Sequence, residues 1–270
     1  MPVPYDGTTD WHCGARYGPA AILEASQNME LYDLEIDCEI HKIGIHTLNF
    51  VQPAMEGPSH MVDSVREATL QMLNEDKFVV ALGGEHSITL GLVQALLSRY
   101  PGLSVLQLDA HADLRDSYLG TKNSHACIGR RLWEVCPITQ VGIRSLSQEE
   151  RDFILAEKLN PFYMHNLRPI GSSIESILSS LGDMVYITID LDVFDTSQMA
   201  AVGTPEPGGM YWDEVLPLLR AVMDTKKVVG FDLVELCPAE GTSSCAFLAA
   251  RLAYKLIGYR FKDLETAVSR

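Results

Sequence analysis

Five short runs of nearly continuous apolar, largely β-branched residues recur along this chain, each separated from the next by an amphipathic segment. They are FVVAL (78–82), LSVLQLD (103–109), TQVGI (139–143), MVYITIDLD (184–192) and VVGFDLVEL (228–236). A strand that is apolar on both faces has to be covered on both faces, which is the condition of a parallel sheet sandwiched between helices. Helical periodicity fills the gaps, at about 60–75, 88–99, 125–135, 149–157, 173–181, 212–224 and 243–258. Ser147 followed by Glu150 reads as a capping box for the fourth of these helices. Gly and Pro content marks 166–173 and 203–212 as loops. Without a repeat, a low-complexity tract or a shift in composition, 1–270 reads as one domain. The alternation implies an α/β fold in which ligands bind beyond the carboxyl ends of the strands.

Composition narrows the partners. A formal net charge of −15 disfavours nucleic acid, whose phosphates want a basic patch, and favours cations, either metal ions or a cationic substrate. The start of the chain lacks the charged and apolar regions of a secretory signal, and no apolar run is long enough to span a bilayer. Cys13, Cys38, Cys127, Cys136, Cys237 and Cys245 form no CxxC pair and read as reduced thiols. A cytoplasmic location is expected.

The chemistry concentrates where strands end. In LDAHADLRD (108–116), Asp109, His111 and Asp113 alternate at the end of an apolar strand. Fully extended, Asp109 and Asp113 would lie about 13 Å apart, so the chain has to curl there for all three to serve one small site. In TIDLDVFD (188–195), Asp190 and Asp192 repeat the pattern. Two carboxylates at the end of a buried strand repel one another and lose hydration, and a bound cation resolves both costs. In GGEHS (83–87), paired glycines permit a tight turn and close backbone approach, and His86 follows at a helix start. Read singly, each motif is also consistent with a solvated turn or a packing histidine. Together they give two histidines and four aspartates at three strand ends, a hard-oxygen set suited to two divalent ions about 3.5–4 Å apart. Manganese is the expected metal, with nickel, cobalt and iron compatible. A water shared by two such ions ionises readily and supplies a nucleophile.

These residues resemble the ureohydrolases, the family of arginase and agmatinase. GGEHS, DAHAD, SHAC (124–127), IDLD, GTPEPGG (203–209) and DLVELCP (232–238) follow the family's order and spacing, and the resemblance begins with PYDGTTDWHCGARYGPAAI at 4–22. GARYGP and GTPEPGG resemble the agmatinase branch. The resemblance implies a three-layer α/β/α sandwich on a mostly parallel, roughly eight-stranded sheet, assembled as trimers or hexamers. It implies that His86, Asp109, Asp113 and Asp190 hold one manganese ion, that Asp109, His111, Asp190 and Asp192 hold the other, and that Asp109 and Asp190 bridge them. It further implies His125 as a proton shuttle, Glu235 as the carboxylate that receives a guanidinium, Asp113 as proton carrier to the leaving amine, and Glu206 as an acidic residue near the substrate. The reaction so implied releases urea from a guanidino amine, with agmatine giving putrescine.

Two stretches depart from the pattern. Between Asp192 and Gly203 the chain reads DTSQMAAVGTPE, without the prolines that the family has there, so the loop at 196–202 and the pocket for the substrate's tail are expected to differ. The strand that precedes PYDG in the family is expected to be short or missing. Three alternatives stand beside the agmatinase reading. One is a single-zinc amine deacetylase on the same fold, which would lack the doubled clusters. Another is a metal-retaining relative without catalysis. The third is a ureohydrolase for guanidinobutyrate, arginine or aminopropylagmatine.

Overall fold

The computed structural model describes the backbone of residues 1–268 and the side chains of residues 1–262. In chain order the elements are β1 (Pro2–Val3), α1 (Gly18–Ser26), β2 (Tyr32–Asp33), β3 (Cys38–Glu39), α2 (Pro58–Asn74), β4 (Val79–Gly83), α3 (Thr89–Arg99), β5 (Leu103–Leu108) and α4 (Ile128–Val135). They continue with β6 (Ile138–Ile143), α5 (Gln148–Ala156), β7 (Phe162–Tyr163), α6 (Ile174–Ser180), β8 (Met184–Asp190), α7 (Trp212–Thr225), β9 (Lys227–Val234) and α8 (Ser243–Val268). Seven strands form one sheet in the order β1-β4-β9-β8-β5-β6-β7, with each neighbouring pair parallel. β2 and β3 pair separately and antiparallel.

Alternation along the strands feeds two cores. Leu106 and Leu108 of β5 and Val185, Ile187 and Ile189 of β8 join residues of α1, α6, α7 and α8 on one face. Leu103, Val105 and Tyr186 point the other way, among residues of α2, α3 and α4. Burying such a side chain stabilises the fold by about 1.5–3 kcal/mol each, so the two-faced strands dictate the three layers. The three-layer, parallel architecture agrees with the sequence expectation, with seven strands in the described sheet against roughly eight.

The five expected strands are present, but those at 103–109, 184–192 and 228–236 stop at Leu108, Asp190 and Val234. Beyond those points backbone amides turn from the ladder to carboxylates, as where Ala110 donates to Asp192 and Asp192 donates to Asp190. The helix expected from 125 begins as a tight turn, with α4 proper starting at Ile128, and α8 runs well past 258. Ser147 and Glu150 form the anticipated capping box. β1 was expected only as a strand short or missing, and α1, β2, β3 and β7 were not anticipated as elements. Four of these are two-residue strands, too short to display a period. β1, the strand expected to be short or missing, pairs Pro2 and Val3 with Leu82 and Gly83.

The crossover fixes where ligands go. After β4 the chain jumps past two strand positions to β5, builds outward to β7, then returns to place β8 and β9 in the gap. β4, β9, β8 and β5 thus lie side by side, and their carboxyl ends open at the place where the strand order reverses, the usual ligand crevice of α/β sheets.

Candidate functional site

Each of those four strand ends delivers part of one cluster. After β4, Gly84 lets the backbone pass Tyr5 so closely that a Cβ would sit 1.9 Å from the Tyr5 carbonyl oxygen. Glu85 N donates to that oxygen at 2.7 Å, and the turn places His86 fully buried in the crevice. His86 Nδ1 faces three carboxylate oxygens, Asp109 Oδ2 at 3.2 Å, Asp190 Oδ2 at 3.3 Å and Asp113 Oδ2 at 3.5 Å. The curl required of residues 109–113 is present. Ala112 N donates across to Ser145 O at 3.2 Å, and Asp113 takes a left-handed φ of 53° that swings its carboxylate back beside that of Asp109. Side-chain-bearing residues enter this region at a cost of about 1–2 kcal/mol, which the surrounding packing offsets.

His111 Nδ1 lies 2.8 Å from Asp192 Oδ2 and 3.8 Å from Asp109 Oδ1. Two groups of potential ligand atoms result, His86 with Asp109 and Asp190, and Asp109 with His111 and Asp192, each within a 4.8 Å span. Asp109 belongs to both groups. Asp113 joins the first through its contact with His86, and Asp190, in the first group, also borders the second, its Oδ1 accepting from Asp192 N at 2.9 Å. Backbone and side-chain donors fix the rotamers. Gln107 Nε2 and His111 N hold the two oxygens of Asp109 at 2.7 and 2.6 Å, and Ala110 N holds Asp192 Oδ1 at 3.0 Å.

So many acids in an enclosed site strain its charge balance. Burial and the neighbouring Asp109 push the Asp113 carboxyl up to about 7. Burial, then Asp192 and Asp109, drive Asp190 well above the usual carboxylate range. Burial would raise Asp192 also, but the adjacent His111 holds it down to about 2. Burial pulls His86 down, yet the aspartates around it overcome this and raise it well above an ordinary histidine.

The His86 ring tests whether cations suit this set. Its Nε2 contacts Thr188 Oγ1 at 2.9 Å, and Thr188 gives its one hydroxyl proton to Asp232 Oδ1 at 2.6 Å. Nε2 must therefore carry a hydrogen, and in the neutral ring Nδ1 is a bare lone pair. That atom is buried and makes no hydrogen bond of acceptable geometry, although three carboxylate oxygens lie within 3.5 Å. A lone pair converging with carboxylate oxygens on one point is the environment of a divalent cation, and a carboxylate behind the ligating histidine is its usual support. The donor set fits two such ions.

The remaining predicted residues surround a cleft of about 320 Å³ above the cluster, lined among others by His111, Asp113, Asp190, His125 and Glu235. Glu235 follows β9 with a left-handed φ of 66°, and its Oε1 accepts from His86 N at 2.7 Å, which anchors one carboxylate oxygen. Burial, then Glu85, raise its carboxyl well above the ordinary range. His125 sits in the turn before α4, with Nδ1 3.1 Å from Thr8 Oγ1, and burial lowers its pKa. Glu206 is half-exposed, 3.9 Å from His111 Nε2.

Several partners escaped the sequence reading. Arg144, just after β6, donates to the carbonyls of Asp192 (2.7 Å) and Glu206 (2.8 Å), with longer bonds to Gly142, Val193, Phe194 and Pro207. It clamps the 203–208 loop to the end of β8. Its signal was a lone cation at the end of an apolar strand. Thr188, Asp232, Glu85 and Thr8 stood inside the noted blocks, but only tertiary pairing gives them a task. Without prolines, the 196–202 loop is ordered by Asp195, which accepts from Ser197 N and Gly208 N at 3.0 Å each, and by the fully buried Met199. No helix among the described residues is long and apolar enough to cross a membrane.

Comparison with known proteins gives a consistent picture. The sequence profile described as the arginase family matches residues 1–258. The N(1)-aminopropylagmatine ureohydrolase of Synechocystis sp. is 40% identical over 268 residues, covering 96% of this chain and 87% of its own. The agmatinase of Pyrococcus horikoshii is 35% identical over 262 residues, covering 95% and 89%. The crystal structure of the agmatine ureohydrolase of Thermoplasma volcanium superposes with a TM-score of 0.90 at 32% identity, covering 98% of this chain and 90% of that one.

Proposed function

The chain belongs to the arginase family of amidino-hydrolysing enzymes, and from that premise we propose that it releases urea from a guanidino polyamine, with N1-aminopropylagmatine as substrate ahead of agmatine. The observation that carries the reaction is the position of Glu235. A buried carboxylate, one oxygen held by the His86 amide, lines the same cleft as the aspartate–histidine cluster. A guanidinium is planar and cationic, and a buried carboxylate anchored at one oxygen pairs with it through charge-assisted hydrogen bonds. Two features favour the longer substrate. The relative named for aminopropylagmatine is 40% identical, against 35% for the agmatinase. The cleft also carries the additional carboxylate Asp10, with Arg115 the one Lys or Arg among its described lining residues.

His86, Asp109, Asp113 and Asp190 would hold one divalent ion, and Asp109, His111, Asp190 and Asp192 the other. Manganese is our choice on the oxygen-rich ligand set. Once bound, such ions would lower the pKa of a coordinated water and so supply a nucleophile at neutral pH. Glu235 binds the guanidinium and presents its carbon to the cluster. Asp113 takes up the proton released on attack and passes it to the amine nitrogen as that nitrogen leaves. His125 exchanges protons between the cleft and solvent. The balance is guanidinium plus water to urea plus alkylammonium. Glu206 we assign to the mouth of the cleft, facing the substrate's amine end. A cytoplasmic location fits six free cysteines, and a trimer or hexamer completes the reading.

The test is urea release by the manganese-loaded protein from aminopropylagmatine, agmatine, arginine and guanidinobutyrate. The expected result is the highest kcat/KM with aminopropylagmatine. Agmatine ranking first would reverse the substrate choice and leave the mechanism standing. No urea from any of the four, with both ions bound, would overturn the reaction.

A further inference from the structure

We propose that Thr8 and Glu85 are positioning residues that set the tautomer of His125, keeping its proton on Nδ1 and its Nε2 lone pair facing the cleft. This rests on the reading of His125 as the proton-exchanging group.

Hydrogen-bond accounting carries the argument. Glu85 is fully buried, and the atoms hydrogen-bonded to its carboxylate are donors. Thr8 N donates to Oε2 at 2.7 Å, Thr8 Oγ1 to Oε1 at 2.7 Å, Ser87 Oγ to Oε1 at 2.5 Å, and Thr9 Oγ1 reaches Oε2 at 3.4 Å. The Thr8 hydroxyl has one proton and two lone pairs. The proton goes to Glu85, the shorter bond and the stronger acceptor. One lone pair accepts from His125 N at 3.0 Å. What remains for His125 Nδ1, 3.1 Å away, is the second lone pair, so Nδ1 is the donor and carries the hydrogen. Ser124 Oγ lies further from Nδ1, at 3.4 Å, so the shorter Thr8 contact decides, and the rotatable Ser124 hydroxyl turns its proton away. On the far side of the ring, Nε2 lies 4.0 Å from Asp10 Oδ1, beyond hydrogen-bond reach, in the wall of the cleft. Asp10 is itself engaged by the Tyr118 hydroxyl.

The arrangement works as an orienting carboxylate with a hydroxyl inserted. When Nε2 picks up a proton, the positive ring keeps its Nδ1–H bond to an oxygen polarised by Glu85, so the charged form is supported without any rearrangement. Glu85→Gln gives a directional forecast. A glutamine amide NH2 cannot occupy the Oε2 position, because the Thr8 backbone N–H there cannot turn away. It must take the Oε1 position, where hydroxyls rotate. There it donates to Thr8 Oγ1, and the Thr8 proton turns onto His125 Nδ1, which inverts the tautomer.

The experiment is long-range 1H–15N correlation NMR on the manganese-free full chain labelled at histidine, with His125 assigned by comparison with His125→Gln. The parent and Thr8→Ser are expected to show His125 protonated at Nδ1 with a bare Nε2. Glu85→Gln is expected to invert this, and Thr8→Val to abolish the preference. In the manganese-loaded enzyme, Thr8→Val should lower kcat about tenfold with KM changed less than about twofold, and Thr8→Ser should recover most of the loss. A parent His125 protonated at Nε2, or an unchanged tautomer in folded Glu85→Gln or Thr8→Val, overturns the proposal. The parent spectrum decides even where a variant does not fold. The tautomer is read without substrate, so absence of urea release would strike the enzymatic reading and leave this result legible.

Discussion

Asp232→Asn should weaken metal binding although Asp232 touches no ion-binding position. Asp232 is fully buried on β9 and accepts three hydroxyl bonds, from Thr188 at Oδ1 (2.6 Å), and from Tyr186 (2.7 Å) and Thr89 (2.9 Å) at Oδ2. An asparagine keeps the shape and replaces one oxygen by an NH2. Placed at Oδ2, the NH2 opposes two hydroxyls, and at Oδ1 it opposes one, so the Oδ1 position is favoured. The amide then donates to Thr188 Oγ1, and the Thr188 proton turns onto His86 Nε2. The neutral ring must carry its hydrogen on Nδ1, the atom that should offer a lone pair to the ion. Loss of such a supporting carboxylate weakens metal affinity by roughly 10–100-fold. At a fixed saturating manganese concentration that is about 1.4–2.7 kcal/mol of lost stabilisation. For a chain of this size it amounts to about 2–5 °C in the Tm of the loaded protein. Competition titration with a chromophoric chelator measures the affinity, and scanning calorimetry with and without manganese separates ion-linked loss from any cost to the ion-free fold. Affinity within about threefold of the parent would refute the tautomer reasoning.

Three further outcomes follow from the same geometry. In the ion-free chain Asp113 is raised to about 7, and Asp190 and His86 are raised well above their usual ranges, so these groups hold protons at neutral pH that arriving ions must expel. Affinity should therefore rise as pH increases through about 7 and fall below it, and calorimetric enthalpies of manganese binding should differ between buffers of unlike ionisation heat. Equal enthalpies would contradict this. Arg144→Ala should release the 203–208 loop from the end of β8 and lower kcat/KM about 10–100-fold, because small misplacements at a reacting centre are costly. A change of less than twofold would show that the clamp is irrelevant to turnover. Ser147→Ala removes the cap of α5 and should destabilise the fold by about 1 kcal/mol, read as a small fall in the Tm of the ion-free chain. An unchanged Tm would show that the cap adds nothing to the fold.

What could be read from the chain before folding was whatever a single segment contains. FVVAL and MVYITIDLD carry their two-faced burial in their own composition, and DAHAD carries its donors within five residues. The need for a curl between Asp109 and Asp113 was also legible, because strand rise alone forbids the extended alternative. The two-residue strands β1, β2, β3 and β7 were not, since their pairing partners determine them. The same limit explains the misjudged ends of β5, β8 and β9. Which amide leaves the ladder depends on which carboxylate arrives from another strand, as Asp192 does for Ala110.

That limit falls hardest on the groups that tune the site. His86 is backed by Thr188 and Asp232, and His125 by Thr8 and Glu85, in both cases a threonine hydroxyl relaying a buried carboxylate to an imidazole nitrogen. The three members of each relay come from three separate segments, so no motif spans them. Their physical logic is the same, because a hydroxyl with one proton can satisfy a carboxylate and leave only acceptance for the ring. The ring's opposite nitrogen is thereby fixed as a lone pair, toward the cluster for His86 and toward the cleft for His125. A carboxylate in direct contact would fix the tautomer equally well, but it would set a full charge against the imidazole. The inserted hydroxyl keeps the orientation and moves that charge one bond further from a site already crowded with four aspartates.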